Sequence, residues 1–349
     1  MKIIIRNIEP LQNANIILNG LTVIAGENDT GKSTIGKVIF SIIKADNLAA
    51  VRLKTGECIA AQMAAQRKNL MNTMIGLVFD SQISSEGEVL VEDEEMPVYS
   101  IHFSQHQCSR FDCSQADSDR FLLDATFIQT PFVWDLVDFF DTVLRLKQSQ
   151  ELTQNMAPFS VKYPYIIWDV YAKISNTPIE KDFQTNELVK NIRQIIKGGF
   201  EQRDKRIVFQ RQNESILLVN VATGIKYFGL LQRLAENQQL KQGHLLIVDE
   251  PENHLHPEWQ LLLARLIVNL VSQHKVYVLV NSHSPYMIEA LKVYSDMTIK
   301  EQTHFYFNQL TNKGIEVDEV SHDLSPVFEK LSLPFHKLEK TALEINSLK

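Results

Sequence analysis

Apolar residues along this chain occur in short continuous runs that alternate with longer segments of helical spacing. The runs are typical of strands buried on both faces, because few polar residues interrupt them. The longer segments carry apolar residues every three or four positions, as on one face of a helix. Strands that alternate with helices pair in parallel, so the pattern predicts an α/β fold with a mainly parallel sheet covered on both sides. The predicted strands are 1–8, 15–18, 21–25, 88–92, 98–104, 206–210, 215–219, 245–248 and 276–280, and the predicted helices are 60–74, 132–146, 227–236 and 257–272.

A glycine-rich loop joins the apolar run at 21–25 to a segment of helical spacing. The loop fits G-x-x-x-x-G-K-[ST], and a strand before it and a helix after it are the context that a phosphate-binding loop requires. Gly26 and Gly31 let successive N–H groups turn toward an anion, and the helix start adds its positive dipole end. Lys32 would reach the phosphates, and the Ser33 hydroxyl would be a ligand of Mg²⁺. The loop predicts that a nucleoside triphosphate is bound by Gly26, Asn28, Asp29, Thr30, Gly31, Lys32, Ser33 and Thr34.

Polar residues follow two later apolar runs. Asp249 and Glu250 end the run at 245–248, where ligands sit in open parallel sheets. Adjacent residues on a strand point to opposite sides, so we expect Asp249 to hold Mg²⁺ through water and Glu250 to polarise the attacking water. His283 follows the run at 276–280. It would either bridge the γ-phosphate and the attacking water or bond to Glu250, whereas the alternative is an ordinary surface histidine.

The order of these motifs is similar to that of ABC-type ATPase heads. The longer sequence segments around these motifs, Asp249 to Pro257 and Asn281 to Pro285, resemble those of the RecF/SMC-like branch. That branch includes the ATPase part of OLD-family nucleases and the Septu-type ATPases of bacterial anti-phage systems. The resemblance covers about 1–45 and 200–290. It implies a P-loop ATPase head with an antiparallel β lobe, a parallel core sheet and a mostly helical insertion, and it implies ATP and Mg²⁺ as cofactors.

The resemblance also implies a second anion cradle at Thr223, Gly224 and Lys226, where the family has its signature motif. In the family that cradle contacts ATP on the opposite subunit, so two heads sandwich two nucleotides in a homodimer. The usual signature sequence is Ser-Gly-Gly, whereas this chain has Thr223, Gly224 and Lys226. This difference leaves open how strongly two heads would associate around ATP. The alternative is a helix start capped by Thr223.

Two further segments gain roles from the resemblance. Gln129, at the end of an apolar strand, matches the glutamine that contacts Mg²⁺ and senses the γ-phosphate, although a plain strand-end residue is an equal alternative. Glu252, Asn253 and His254 match the loop through which subunits touch.

Composition narrows these expectations. The chain has 349 residues, 44% of them hydrophobic, and a formal net charge of −7, so contact with nucleic acid would need a local basic patch. Three cysteines without regular spacing fit a reducing cytoplasm. We find no signal peptide and no apolar run of membrane-spanning length, and we expect a cytoplasmic protein without membrane contact.

Two residue clusters suggest other chemistry, and we discount both. The first contains histidines and cysteines but matches no common zinc spacing. The second is a basic stretch at 190–211 that a nucleic-acid backbone could contact, although a solvated hairpin face is the preferred interpretation. The first comprises His102, His106, Cys108 and Cys113, and the second Lys190, Arg193, Lys197, Arg203, Lys205, Arg206 and Arg211.

These observations predict an ATPase that acts as a nucleotide-driven dimerisation switch. About 65 residues follow His283, too few for the nuclease domain that OLD-type proteins carry there. We therefore expect the switch to gate a separate effector, such as a nuclease or toxin, in anti-phage defence. The alternative is a RecF/SMC-like clamp that closes on DNA in repair or recombination. The predicted domains are a discontinuous head at 1–45 and 200–300, an insertion at 46–199 and a C-terminal extension at 301–349.

Overall fold

Both ends of the chain contribute strands to one large mixed sheet. The computed structural model of the protein describes residues 1–81, 83–114, 122–152, 163–175, 187–203, 206–312 and 314–347. Within these ranges the strands are β1 (Lys2–Ile8), β2 (Leu11–Ile17), β3 (Leu21–Gly26), β4 (Glu86–Asp93), β5 (Met96–Ser104), β6 (Gln107–Cys113), β7 (Asp124–Ile128), β8 (Gly199–Arg203), β9 (Arg206–Arg211), β10 (Glu214–Leu217), β11 (His244–Asp249), β12 (Tyr277–Ser282), β13 (Thr303–Thr311) and β14 (Gly314–Glu319). The α-helices are α1 (Lys32–Lys54), α2 (Met63–Val78), α3 (Val137–Leu152), α4 (Tyr165–Ser175), α5 (Glu187–Ile196), α6 (Thr223–Glu236), α7 (Pro257–His274), α8 (Pro285–Thr298) and α9 (Ser325–Ser347).

The large sheet has a parallel half and an antiparallel half. Its order in the described residues is β6-β5-β4-β1-β2-β14-β13-β3-β12-β11-β7, and the five strands from β13 to β7 run parallel. The strands from β6 to β2 form the antiparallel lobe. Strands β8, β9 and β10 form a separate small sheet. The predicted α/β fold, with its P-loop, antiparallel lobe and parallel core, is confirmed.

Burial explains why the parallel strands read as uninterrupted apolar runs. All residues of β3 and β11 are buried, and hydrophobic clusters cover both faces of the sheet. Helix α1 lies unusually close to one face at Gly36, where an added Cβ would stand 2.9 Å from the Phe127 ring and 3.1 Å from Ile247. The glycine therefore lets α1 approach the parallel strands, and this contact fixes the position of the phosphate-binding loop at its start.

The sheet crosses the domain bounds predicted from the sequence. The segment 46–199 supplies β4 to β7 in addition to its helices, and 301–349 supplies β13 and β14. Strand β13 lies directly between β14 and β3, inside the sheet that carries the phosphate-binding loop. The predicted helix at 132–146 is a 3-10 helix, Pro131–Leu136, followed by α3. No helix within the described ranges combines the length and apolarity needed to cross a membrane.

A buried group of four charges fixes β7 at the edge of the sheet. Lys44 Nζ of α1 lies 2.7 Å from Asp124 Oδ1 and 2.6 Å from Asp169 Oδ1. Lys173 Nζ of α4 lies 2.9 Å from Asp124 Oδ2 and 3.2 Å from Asp169 Oδ2. Burial raises the pKa of Asp124, but Lys173 and Lys44 outweigh it and hold that pKa well below its usual range. The ionised form of Asp124 therefore stabilises the fold.

We expect Asp124→Asn to lower the free energy of unfolding at pH 7 by about 3 kcal/mol, because two buried ammonium groups would share one carboxylate. Since the folded-state pKa is depressed, the contribution of Asp124 is present above its unfolded pKa of about 4 and is lost as the pH falls below it. Urea unfolding at pH 7 and at acidic pH measures both effects. Asp112→Asn, which breaks an exposed pair with Arg110, is the matched control and should change stability by less than about 0.5 kcal/mol. An equal loss in both variants would contradict the prediction.

Candidate functional site

Four parallel strands end at one edge of the sheet, and each is followed by residues predicted to act. The register pairs β3 with β12, β12 with β11, and β11 with β7. The phosphate-binding loop follows β3, the turn with His283 follows β12, Glu250 follows β11 and Gln129 follows β7. The carboxyl edge of a parallel sheet is the usual place for ligands in such folds.

The phosphate-binding loop is held in shape by contacts from its own backbone and from β13. Lys32 is 3% exposed, and its Nζ donates to the Gly26 carbonyl at 3.0 Å and to the Glu27 carbonyl at 2.6 Å. The Asn308 amide donates to the Thr30 carbonyl at 2.8 Å. The ammonium of Lys32 thus lies inside the loop, where phosphate oxygens could replace the carbonyls.

Two loop residues show why this backbone conformation needs its sequence. Gly31, immediately before α1, has φ +76°, and a Cβ there would stand 2.7 Å from Leu11 Cδ2. Asp29 also has a positive φ, of +63°, and is exposed together with Asn28 at the tip. Thr30 is buried and donates its hydroxyl to the Glu27 carbonyl at 2.8 Å. The left-handed residues turn the backbone N–H groups, which favours an anion-binding loop.

Ser33 and Asp249 meet across the sheet edge. Ser33 Oγ donates to Asp249 Oδ1 at 3.0 Å, and Asn281 Nδ2 donates to the same oxygen at 2.7 Å. Burial raises the pKa of Asp249, while the bonds from Asn281 and Ser33 lower it, and burial dominates. Without a bound cation, Asp249 is therefore protonated more easily than a carboxyl group in water. A cation bound beside it would favour the ionised form.

These oxygens fit a magnesium ion that is completed by nucleotide phosphates. Mg²⁺ takes hard oxygen ligands and is usually held by one or two carboxylates together with substrate phosphates. The described residues contain no group of three or more His, Cys, Asp or Glu placed to hold a metal by themselves. Gln129 follows Ile128, which pairs with Val248 immediately before Asp249, so its backbone lies at the same edge. This placement suits the predicted glutamine role.

Glu250 lies between two cationic or ionisable groups. Its Oε1 is 3.5 Å from Lys32 Nζ and 3.5 Å from His283 Nδ1, and Asn253 donates to its Oε2 at 3.1 Å. The backbone of Glu250 is left-handed, with φ +48°, and its N–H donates to the Asn281 carbonyl at 2.9 Å. A left-handed glutamate costs of order 1 kcal/mol or more, and such strain clusters at functional sites. The structure brings Lys32, Glu250 and His283 together.

The predicted signature residues lie in the first turn of helix α6. Helix α6 begins at Thr223, which is exposed and makes no capping bond, so the alternative of a Thr223 cap is not observed. Gly224 lies against the loop after Glu250, where an added Cβ would be 3.4 Å from the His254 carbonyl oxygen. Lys226 is buried, and its Nζ pairs with Asp135 Oδ1 at 2.7 Å. This internal ion pair argues against the predicted contact of Lys226 with a nucleotide.

Sequence reasoning missed several polar residues that shape the site. Asn281 and Asn308 are almost completely buried in β12 and β13, each directly after a short apolar run, and an amide at that place was the available signal. Glu252 was assigned to a subunit contact, but it is buried and bonds inward to the turn at 282–284. Asn253 is exposed and His254 half-buried, so these two remain available to another molecule.

The two discounted clusters lie outside this edge. Most of the basic stretch falls on α5 and the small sheet, where Arg193 and Arg203 pair with Glu201. Lys205 lies outside the described residues. The His102 ring lies 3.8 Å from Glu88 and the Cys108 thiol is buried, where burial raises its pKa to about 11.

We expect Asp249→Asn to raise the free energy of unfolding of the nucleotide-free protein at pH 7, because a raised pKa means that ionisation of Asp249 opposes folding there. An amide oxygen at this position can still accept from Ser33 and Asn281. The same change should abolish Mg²⁺-dependent ATP hydrolysis. Chemical denaturation without nucleotide and a phosphate-release assay measure the two effects, with Asp112→Asn as the control. A destabilised Asp249→Asn protein would contradict the electrostatic reasoning.

A family model and one known relative match parts of this chain. A family model described as the AAA ATPase domain matches residues 149–288, a range that includes Asp249, Glu250 and His283. The Septu protein PtuA of Bacillus thuringiensis is 30% identical over 95 residues, which are 25% of this chain and only 24% of that relative.

Two solved structures cover nearly the whole chain. The SMC head domain of Thermotoga maritima has 13% identity and a TM-score of 0.47, covering 91% of this chain and 98% of its own. An SMC head bound to the C-winged helix domain of ScpA has 14% identity and a TM-score of 0.48, covering 94% and 98%. The family model and the Septu relative are the matches that bear on identity. Residues 149–288 are thus similar to the AAA ATPase domain, and the resemblance to Septu-type ATPases predicted from the motifs is confirmed.

Proposed function

We propose that this protein hydrolyses ATP at the edge formed by β3, β12, β11 and β7, and that hydrolysis acts as a switch. The observation that carries the proposal is the meeting of Ser33 and Asp249 at 3.0 Å beside the buried ammonium of Lys32. These residues come from distant parts of the sequence, yet their side chains lie together at one edge of the sheet. Phosphoryl transfer needs mainly positioning and charge neutralisation.

Each side chain has a role in this proposal. Lys32 and the N–H groups of the loop hold the phosphates, while Ser33 and Asp249, with Gln129 nearby, would hold Mg²⁺. The metal, when bound, neutralises charge on the phosphates. Glu250 accepts a proton from the attacking water, and His283 contacts the γ-phosphate or that water.

We further propose that two copies close on ATP and separate after hydrolysis. The exposed start of α6 at Thr223 and Gly224, together with Asn253 and His254, would face the nucleotide of the other copy. A helix start offers free N–H groups to an anion. ATP would then favour the closed pair because its phosphates gain contacts that exist only in that state, which is a population shift.

The proposed consequence of the switch is control of a separate effector, such as a nuclease or toxin, in anti-phage defence. The similarity to PtuA supports this part and covers a quarter of that protein, so it rests on analogy. A DNA clamp is the alternative function. The exposed side chains of Arg203 and Arg206 at one end of the small sheet favour it, whereas the net charge of −7 disfavours it.

We expect Glu250→Gln to retain ATP binding and to lose hydrolysis by about 10²-fold or more, because the amide cannot take a proton from water. The trapped ATP should also shift the protein toward a dimer. Fluorescent-nucleotide titration, phosphate release and sedimentation with ATP measure the three properties. Glu258→Gln, an exposed change in the first turn of α7, is the matched control. Normal hydrolysis by Glu250→Gln would exclude the assigned role.

We expect a second protein to co-purify with this chain from its native operon, and the Glu250→Gln variant with ATP to change the amount recovered. Mass spectrometry of the purified material identifies the companion. A chain that always purifies alone argues against a gated effector. ATP-dependent, salt-sensitive DNA binding that is lost when Arg203, Lys205 and Arg206 are reversed in charge would instead support the clamp.

A further inference from the structure

The turn that carries His283 is fastened to the loop after Glu250 by a single carboxylate. Glu252 Oε1 accepts from Ser282 Oγ at 2.8 Å, from the His283 N–H at 2.6 Å and from the Ser284 N–H at 3.0 Å. The same oxygen lies 3.2 Å from His283 Nδ1. Among the described residues that ring nitrogen has no aligned hydrogen-bond partner, so the bonds that Glu252 makes to the turn are the ones that fix the position of His283.

Burial makes this arrangement unusual. The side chain of Glu252 is 5% exposed, and its other oxygen, Oε2, has no hydrogen-bond partner among the described residues. A buried carboxylate is costly, and an apolar residue of similar size would often stabilise a fold more. The three bonds serve one short turn only, which indicates a positional requirement at that turn.

A second contact fixes the far side of the turn. Ser284 Oγ donates to Gln260 Oε1 at 2.6 Å, and Gln260 Nε2 donates to the Leu255 carbonyl at 3.0 Å. Ser284 also caps α8 by accepting from the Met287 N–H. The turn is therefore held between α8 and the loop 251–255, and Glu252 is the member of this set that accepts the N–H of His283 itself.

We propose that Glu252 is a positioning residue for ATP hydrolysis, which sets the place of His283 relative to Glu250 through its hydrogen bonds to the turn at 282–284. This inference rests on the proposed ATPase site and deepens it. In this role the length of the Glu252 side chain matters more than its charge. The two N–H groups and the hydroxyl need one acceptor oxygen at a fixed place. The imidazole of His283 would then keep Nδ1 toward the two glutamates and present Nε2 to the nucleotide.

Two conservative substitutions separate the effect of side-chain length at Glu252 from the effect of its charge. Glu252→Gln keeps an acceptor oxygen at the same distance and should leave kcat within about threefold of the wild type. Glu252→Asp keeps the charge but shortens the side chain by one methylene, so its oxygens lie farther from the turn. We expect kcat to fall about 30-fold, as is typical when a supporting residue is lost. The Kd for ATP should change by less than about threefold in both, since neither touches the phosphate-binding loop. Glu258→Asp, which is exposed, is the control and should behave as the wild type.

A double-mutant cycle tests whether the effect passes through His283. Glu252→Asp combined with His283→Ala should be no slower than His283→Ala alone, within about twofold, because residues that act as one unit are not additive. Independent, multiplied losses would overturn the proposal. So would a Glu252→Gln protein as slow as Glu252→Asp, or a Glu252→Asp protein with the wild-type kcat.

Amide hydrogen exchange gives a readout that needs no activity. In Glu252→Asp the exchange of the His283 and Ser284 amides should quicken by at least about tenfold relative to Glu252→Gln, because their acceptor has moved away. Unchanged exchange would overturn the proposal even if hydrolysis fell. A wild-type protein that hydrolyses no ATP would refute the proposed function, and the exchange at these two amides would still decide whether Glu252 holds the turn.

Discussion

The alignment of four parallel strand ends is the constraint on which the site depends. In a parallel sheet each strand delivers its carboxyl end to the same edge, so residues far apart in the chain arrive within hydrogen-bonding distance. Ser33 and Asp249 are separated by 216 positions, yet their side chains meet at 3.0 Å. The sheet therefore supplies the positioning that phosphoryl transfer requires, and the side chains supply the charge.

That positioning is maintained by polar residues buried in the sheet and beneath it. Asn281 in β12 bonds to Asp249, and Asn308 in β13 bonds to the phosphate-binding loop. The buried charges around Asp124 hold β7, the edge strand that leads to Gln129. Such groups are costly unless satisfied, so their bonds rigidify the edge as well as stabilise it. At Asp249 burial disfavours the charged form, which a cation bound beside it would favour.

The loop after Glu250 connects two parts of the molecule with different exposure. Asn253 is exposed, and His254 is half-buried next to Gly224 at the start of α6. Glu252, by contrast, points inward to the turn that carries His283. One short segment thus touches the proposed meeting face of two copies and the proposed water-activating residues. A displacement of this segment would therefore move both the proposed contact face between two copies and the turn that carries His283. A nucleotide-driven switch requires such a connection.

Local sequence was sufficient for the motifs, and tertiary structure was needed for their partners. The loop from Gly26 to Ser33 and the pair Asp249 and Glu250 could be predicted because strand, turn and helix signals are short-range. The insertion of β13 and β14 into the sheet could not, since strand order depends on packing between distant segments.

The same division applies to single side chains. The direction of Glu252 and the ion pair of Lys226 with Asp135 were not predictable, because neighbouring residues in sequence can point inward or outward according to the surrounding fold. The amino-acid sequence by itself determined which groups are proposed to bind and cleave a triphosphate. Only the tertiary structure decided which groups hold them in place, since the free energy of a buried polar contact depends on partners that folding brings together.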